Sequence, residues 1–85
     1  MNNQNGNTRN QVTYQILENY GVLMKYDTGW TKELNLVSWN DTKPKYDIRD
    51  WNPEHDRMSK GVTLHHDELE ELVRICGEKI LTEEE

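Results

Sequence analysis

Residues 45–76 read KYDIRDWNPEHDRMSKGVTLHHDELEELVRIC, and the reading of this stretch decides the fold. In Lys45–Trp51, Tyr46 and Ile48 point one way while Lys45, Asp47, Arg49 and Trp51 point the other, the alternation of a half-buried strand. Asn52-Pro53-Glu54-His55-Asp56 is a turn. Residues 57–64 form a further strand, with Val62 and Leu64 facing inward. At His66 the period changes. Leu69, Leu72, Val73, Cys76 and Ile80 fall on one stripe of an α-helix, and Asp67 and Glu68 lie in its first turn, where the helix dipole favours acids. Gly77 weakens its last turns.

Upstream, residues 31–39 alternate in the same way. Leu34 and Leu36 face one side, and Glu33, Asn35, Val37 and Trp39 the other. A loop follows, and Pro44, lacking an N–H, belongs at a strand entrance. Residues 12–27 also read as strand, with Tyr14, Ile16, Val22, Met24 and Tyr26 in one parity. Gly21 marks a bulge or bend, either in one long curved strand or in a tight hairpin. Thr28-Gly29 is a turn. The expected fold is α+β: a curved four-stranded antiparallel sheet followed by one C-terminal helix, β-β-β-β-α. Residues 1–11, rich in Asn and Gln, read as a disordered tail. The domain covers 12–81, and 82–85 form an acidic end.

The chain has 85 residues, 33 % of them hydrophobic, with no Phe or Ala. A domain this small hides only about 60 % of its unfolded surface, which favours self-association. The remainder of the helix stripe is the candidate dimer interface. No apolar run approaches the roughly 20 residues that span a bilayer, and the first residues lack the apolar stretch of a signal peptide. A cytoplasmic, nucleoid-associated protein is expected. Its single cysteine, Cys76, excludes an intramolecular disulfide framework and reads as a small buried hydrophobe.

The net charge of −6 is unevenly placed. Residues 1–66 hold eight Lys/Arg and eight Asp/Glu, whereas residues 67–85 hold eight acids against Arg74 and Lys79. A neutral sheet carrying Lys45, Arg49 and Trp51 on one side, with Lys32 and Trp39 from the strand before and Arg57 and Lys60 from the strand after, suits an unpaired nucleic acid strand. Phosphates take cations, and bases take flat apolar faces. Pattern alone also admits a plainer reading, with Trp39 and Trp51 in the core and the cations as ordinary surface residues. His55, His65 and His66 show no metal-ligand spacing. No catalytic constellation, metal site or cofactor motif stands out, so no enzyme is expected.

Tyr46-Asp47-Ile48-Arg49-Asp50-Trp51 followed by Met58-Ser59-Lys60-Gly61-Val62-Thr63-Leu64 resembles the single-stranded-DNA-binding transcriptional coactivators called positive cofactor four. The likeness is to the compact bacterial and phage members, the YdbC-like proteins. Gly29-Trp30-Thr31-Lys32-Glu33-Leu34-Asn35 and Val37-Ser38-Trp39-Asn40-Asp41 extend it over roughly residues 12–81. The resemblance implies a homodimer held by helices and neighbouring strands, with sheet grooves that take single-stranded DNA. Arg49 and Lys60 match the family's cations, and Trp51 its stacking aromatic. Trp39 supplies the aromatic of the second strand, and Lys43, Lys45 and Arg57 match further cationic positions. Contacts with RNA polymerase or replication proteins would follow. The Ser-rich arm of the eukaryotic members is absent, and Ser59 replaces a cation. Single-stranded RNA binding stays open as a function, as does an acidic adaptor acting through Glu70 and Glu71.

Overall fold

The computed structural model describes residues 12–82; the tail expected over 1–11 and the last three glutamates lie outside them. Strands β1 (Tyr14–Lys25), β2 (Thr31–Trp39), β3 (Lys45–Trp51) and β4 (Val62–Leu64) precede helix α1 (His66–Ile75), which runs on into a π-helical turn, Cys76–Ile80. The sheet order is β1-β2-β3-β4 with antiparallel neighbours, an up-and-down meander.

Local chemistry sets each connection. Between β1 and β2, Gly29 takes a φ of +95°, and the amide N–H groups of Tyr26 and Gly29 donate to Trp30 and Tyr26 carbonyls. Between β2 and β3, Asn40 and Asp41 adopt left-handed backbone, which Asn and Asp tolerate better than other side chains. The Asn40 carboxamide oxygen accepts from the Thr13 amide at 3.0 Å, tying this loop to the start of β1. Pro44 does sit immediately before β3.

β1 is one long strand, not a hairpin. Its 12 residues run beside the nine of β2, and the register shifts at Ile16/Glu18, Asn19/Gly21 and Val22/Met24. Each shift is a bulge that bends the strand and changes which face the next residue takes. The expected single parity of β1 is thereby corrected. Val22 lies opposite Glu33, whereas Met24 lies opposite Lys32 on the other face.

β4 is shorter than the expected 57–64. Its ladder covers Val62–Leu64, with one further bridge between Met58 and Trp51. Ser59 takes up the slack. Its amide donates to the Asp50 carbonyl, and its hydroxyl accepts from the Asp50 amide. Gly61 is then pressed so closely on β3 that a Cβ would overlap the Arg49 Cβ and the Ile48 carbonyl oxygen.

The two faces of the sheet differ. On one, Val37, Trp51, Asn35 and Asp47 are fully buried, and Glu33 and Asn52 nearly so. On the other, Leu34, Leu36, Tyr46, Ile48 and Leu64 are half-buried, and α1 packs there against β3 and β4. The helix begins where the sequence places it, and the Glu68 carboxylate accepts from the His65 amide at 2.7 Å. It buries no residue of its own: Leu72, Val73, Ile75, Ile80 and Leu81 are exposed, as is Val62, which was expected to face inward. The wider π turn, closed by Leu81 N–H donating to the Cys76 carbonyl at 2.8 Å, rotates Ile80 and Leu81 away from where α spacing would put them.

Gly61→Ala should cost about 1–3 kcal/mol or more through overpacking, read as a lower urea midpoint. Gly21→Ala, where a Cβ meets nothing within 4 Å, is the matched control and should be far milder.

Candidate nucleic-acid interface

The face of Glu33, Asn35, Trp39, Asp47, Arg49 and Trp51 is built on two carboxylates. Asp47, with no exposed surface, grips Arg49 with both oxygens, at 2.7 Å from Nε and 2.8 Å from Nη2. Arg49 Nη1 also donates to the Ser59 carbonyl at 3.3 Å and approaches Met58 Sδ at 3.6 Å. The guanidinium carbon lies 4.5 Å from the centre of the Trp39 ring, a cation–π contact. Four of the five N–H donors of the guanidinium are thus engaged within the protein. Arg49 forms a lid over Trp39, with one N–H donor left over.

Glu33 organises the other half. Its Oε2 accepts from Thr31 Oγ1 at 2.6 Å and lies 2.8 Å from His55 Nε2. Its Oε1 accepts from Asn35 Nδ2 at 3.2 Å and Asn19 Nδ2 at 3.3 Å. Burial pushes this carboxyl up, but the hydrogen bonds from Thr31, His55 and Asn35 and the charge of His55 outweigh it and hold the pKa below its ordinary value.

Four rings run between these two carboxylate clusters. Tyr14 lies 5.8 Å from Trp39 and 5.3 Å from Trp51, and His55 stacks on Trp51 at 5.6 Å with planes 25° apart. The Tyr14 hydroxyl donates to the His55 carbonyl. Trp39, Arg49, Met58, Thr63 and Val12 line one open groove on this face.

The predicted residues therefore divide. Trp39 and Arg49 come together, and Lys60 follows Ser59 and precedes Gly61, both of which touch Arg49. Trp51 is corrected from ligand surface to core: it is 0 % exposed, packed between Tyr14 and His55, and offers no free face to a base. Lys32 lies apart from Trp39 and Arg49 on the helix face, where its Nζ is 3.0 Å from Asp50 and the Tyr26 hydroxyl donates to the same carboxylate oxygen. Asp50 and Tyr26 hold the Lys32 pKa above the ordinary lysine value. Lys43 and Lys45 line a separate cleft with Leu36, Tyr46, Leu64 and His66. Arg57 lines another with Trp30, Asn52 and Pro53. Lys43, Lys45, Arg57 and Lys60 make no ion pair among the described residues.

Sequence reasoning missed Tyr14 and His55 as members of the ring row. Tyr14 meets Trp39 only through the β1–β2 register, which no short-range signal encodes. On the helix face His66 contacts Tyr46 and Glu70, and Arg74 pairs with Glu71 and Glu78. Among the described residues there is no cluster of three or more His, Cys, Asp or Glu that would hold a metal, and no helix long and apolar enough to cross a membrane.

Trp51→Ala should destabilise the fold by about 3–5 kcal/mol in chemical denaturation, the cost of emptying a filled core site. A change near zero would return Trp51 to the surface. Because the folded-state pKa of Glu33 is depressed below 4.5, its contribution to stability is full above that value and is lost as the pH falls through the folded-state pKa. Glu33→Gln should therefore be less stable than wild type at neutral pH, and the gap should close on acidification below about pH 4. Parallel stability profiles would contradict the network.

Residues 26–75 match the family described as Transcriptional Coactivator p15 (PC4). An uncharacterized protein of Treponema pallidum (strain Nichols) is 39 % identical over 66 residues, which cover 78 % of each chain. Together with the four-stranded antiparallel sheet and C-terminal helix, these matches show that the chain belongs to the transcriptional coactivator p15 (PC4) family.

Proposed function

We propose that the protein binds single-stranded DNA without reading its sequence, as a homodimer, and acts in transcription or in DNA replication and repair. The observation that carries this reading is the row of rings on the polar face, from Trp39 under Arg49 through Tyr14 and Trp51 to His55. Bases stacked on aromatic side chains contribute about 1–3 kcal/mol each, whatever their sequence. Family membership supports the same ligand. The short Asn52–Lys60 connection supports a place beside the compact bacterial and phage members. The protein acts as a binder and not as a catalyst, at the nucleoid, with RNA polymerase or replication proteins as neighbours.

Lys60 is the phosphate contact nearest the row, and Lys43, Lys45 and Arg57 extend the path of the backbone. The helix supports the dimer. Leu72, Val73 and Ile80 are exposed on an element that packs against its own sheet only at β3 and β4. With Leu69 and Cys76 they form an apolar surface suited to a second copy, on the side of the sheet away from the rings. Asp67, Glu68, Glu70, Glu71 and Glu78 lie on that helix and the turn that continues it, which helps to reconcile a net charge of −6 with an anionic ligand.

Fluorescence anisotropy with oligo-dT, duplex DNA and single-stranded RNA across a salt series tests the reading. Two or three phosphate contacts per subunit predict a slope of log affinity against log salt of about −1.4 to −2. Lys60→Ala should flatten it by about 0.7 and weaken every sequence alike. A flat wild-type slope, or duplex bound as tightly as single strand, would sink it. Light scattering should return twice the chain mass, and Leu72→Asp should dissociate the dimer, since an unpaired charge buried in an apolar interface costs several kcal/mol. A monomer at high concentration would remove the homodimer.

A further inference from the structure

His55 occupies a backbone conformation that a side chain makes costly. Its φ is +61°, in the left-handed region that glycine enters freely and other residues uncommonly. The residue is nevertheless fixed at every polar atom. Its amide donates to the Asn52 carbonyl at 3.0 Å, and its carbonyl accepts from Tyr14. Nδ1 lies 3.2 Å from the Pro53 carbonyl oxygen, and Nε2 lies 2.8 Å from Glu33 Oε2. Both ring nitrogens face acceptors, so the doubly protonated ring satisfies both, whereas a neutral tautomer satisfies one.

The ring is also committed on one side, where it stacks on Trp51. Its nitrogens and that face are in use, and 38 % of the side chain remains exposed. Trp51 is sealed beneath. A strand lying along the row of rings would therefore meet the imidazole and not the indole.

We infer that His55 is a base-stacking residue, the outermost plane of a pile founded on Trp51 and held at a fixed angle by Glu33. This rests on the proposed single-stranded-DNA function and deepens it. Trp51 then acts through His55 without touching a base, and Glu33 is a positioning residue. A ring held by two hydrogen bonds and a stacking partner loses little freedom when a base lands on it, which makes it a better platform than a mobile surface aromatic. Its position at the far end of the row from Arg49 lengthens the platform beyond the Trp39 groove.

The test compares wild type with His55→Asn and His55→Gly. Asn tolerates the left-handed backbone and Gly adopts it freely, so both keep the loop while removing the ring. Anisotropy is measured with oligo-dT and with an abasic deoxyribose-phosphate strand of equal length, and melting temperatures are recorded alongside. Both variants should bind oligo-dT about five-fold or more weakly, as the loss of one stacked base implies, and should bind the abasic strand as wild type does. Equal losses on the two strands would make His55 a phosphate or purely structural contact and overturn the inference, as would no loss on either. Unfolding of both variants would overturn it too, showing a loop latch. If wild type itself fails to bind oligo-dT, the functional reading falls and takes this with it. If wild type binds and the variants match it, His55 alone is wrong.

Discussion

Two carboxylates with almost no exposure, Glu33 and Asp47, govern the arrangement of everything on the polar face. A buried carboxylate without partners costs several kcal/mol, so each must be surrounded by donors. Asp47 holds the Arg49 guanidinium over Trp39, and Glu33 holds the His55 ring stacked on Trp51. The two clusters repeat one device: an acid on a strand holds a planar, nitrogen-bearing group against an indole. Tyr14 joins the two indoles into a single row. Most of the cationic capacity on this face is thereby spent internally, and what it offers a ligand is chiefly flat surface.

The opposite face follows a different rule. Its apolar side chains, Leu34, Leu36, Ile48 and Leu64, are only half-buried beneath a helix that buries no residue of its own. The hydrophobic demand of the chain is left unmet there, while the polar face is closed by its own hydrogen bonds. In the proposed function, one face takes the ligand and the other takes a second copy. This arrangement also separates charges, because the acids of the helix lie on the face away from the rings.

The order of elements was legible in the sequence, because alternation in β2 and β3 and the change of period at His66 are local signals. The same signals assign a residue to a face but not to a depth. Trp51 shares its parity with Arg49, yet the loop that carries His55 folds back over it and seals it. Lys32 shows the complementary case: its residue type suggests a ligand contact, but its parity is that of Asp50, which pairs with it on the helix face. In β1 even parity failed, because three register shifts in 12 residues move side chains between faces. Tyr14 and His55 were invisible as a pair, since they meet through a hydrogen bond spanning 41 residues.

The most direct test of the account is an NMR titration of isotope-labelled protein with oligo-dT, following backbone amide and aromatic signals together. The account predicts that shifts concentrate on Tyr14, Trp39, Arg49, His55 and the Met58–Gly61 segment. Signals from Leu69 to Ile80 should stay in place. Shifts centred on the helix, with the ring row unmoved, would contradict it.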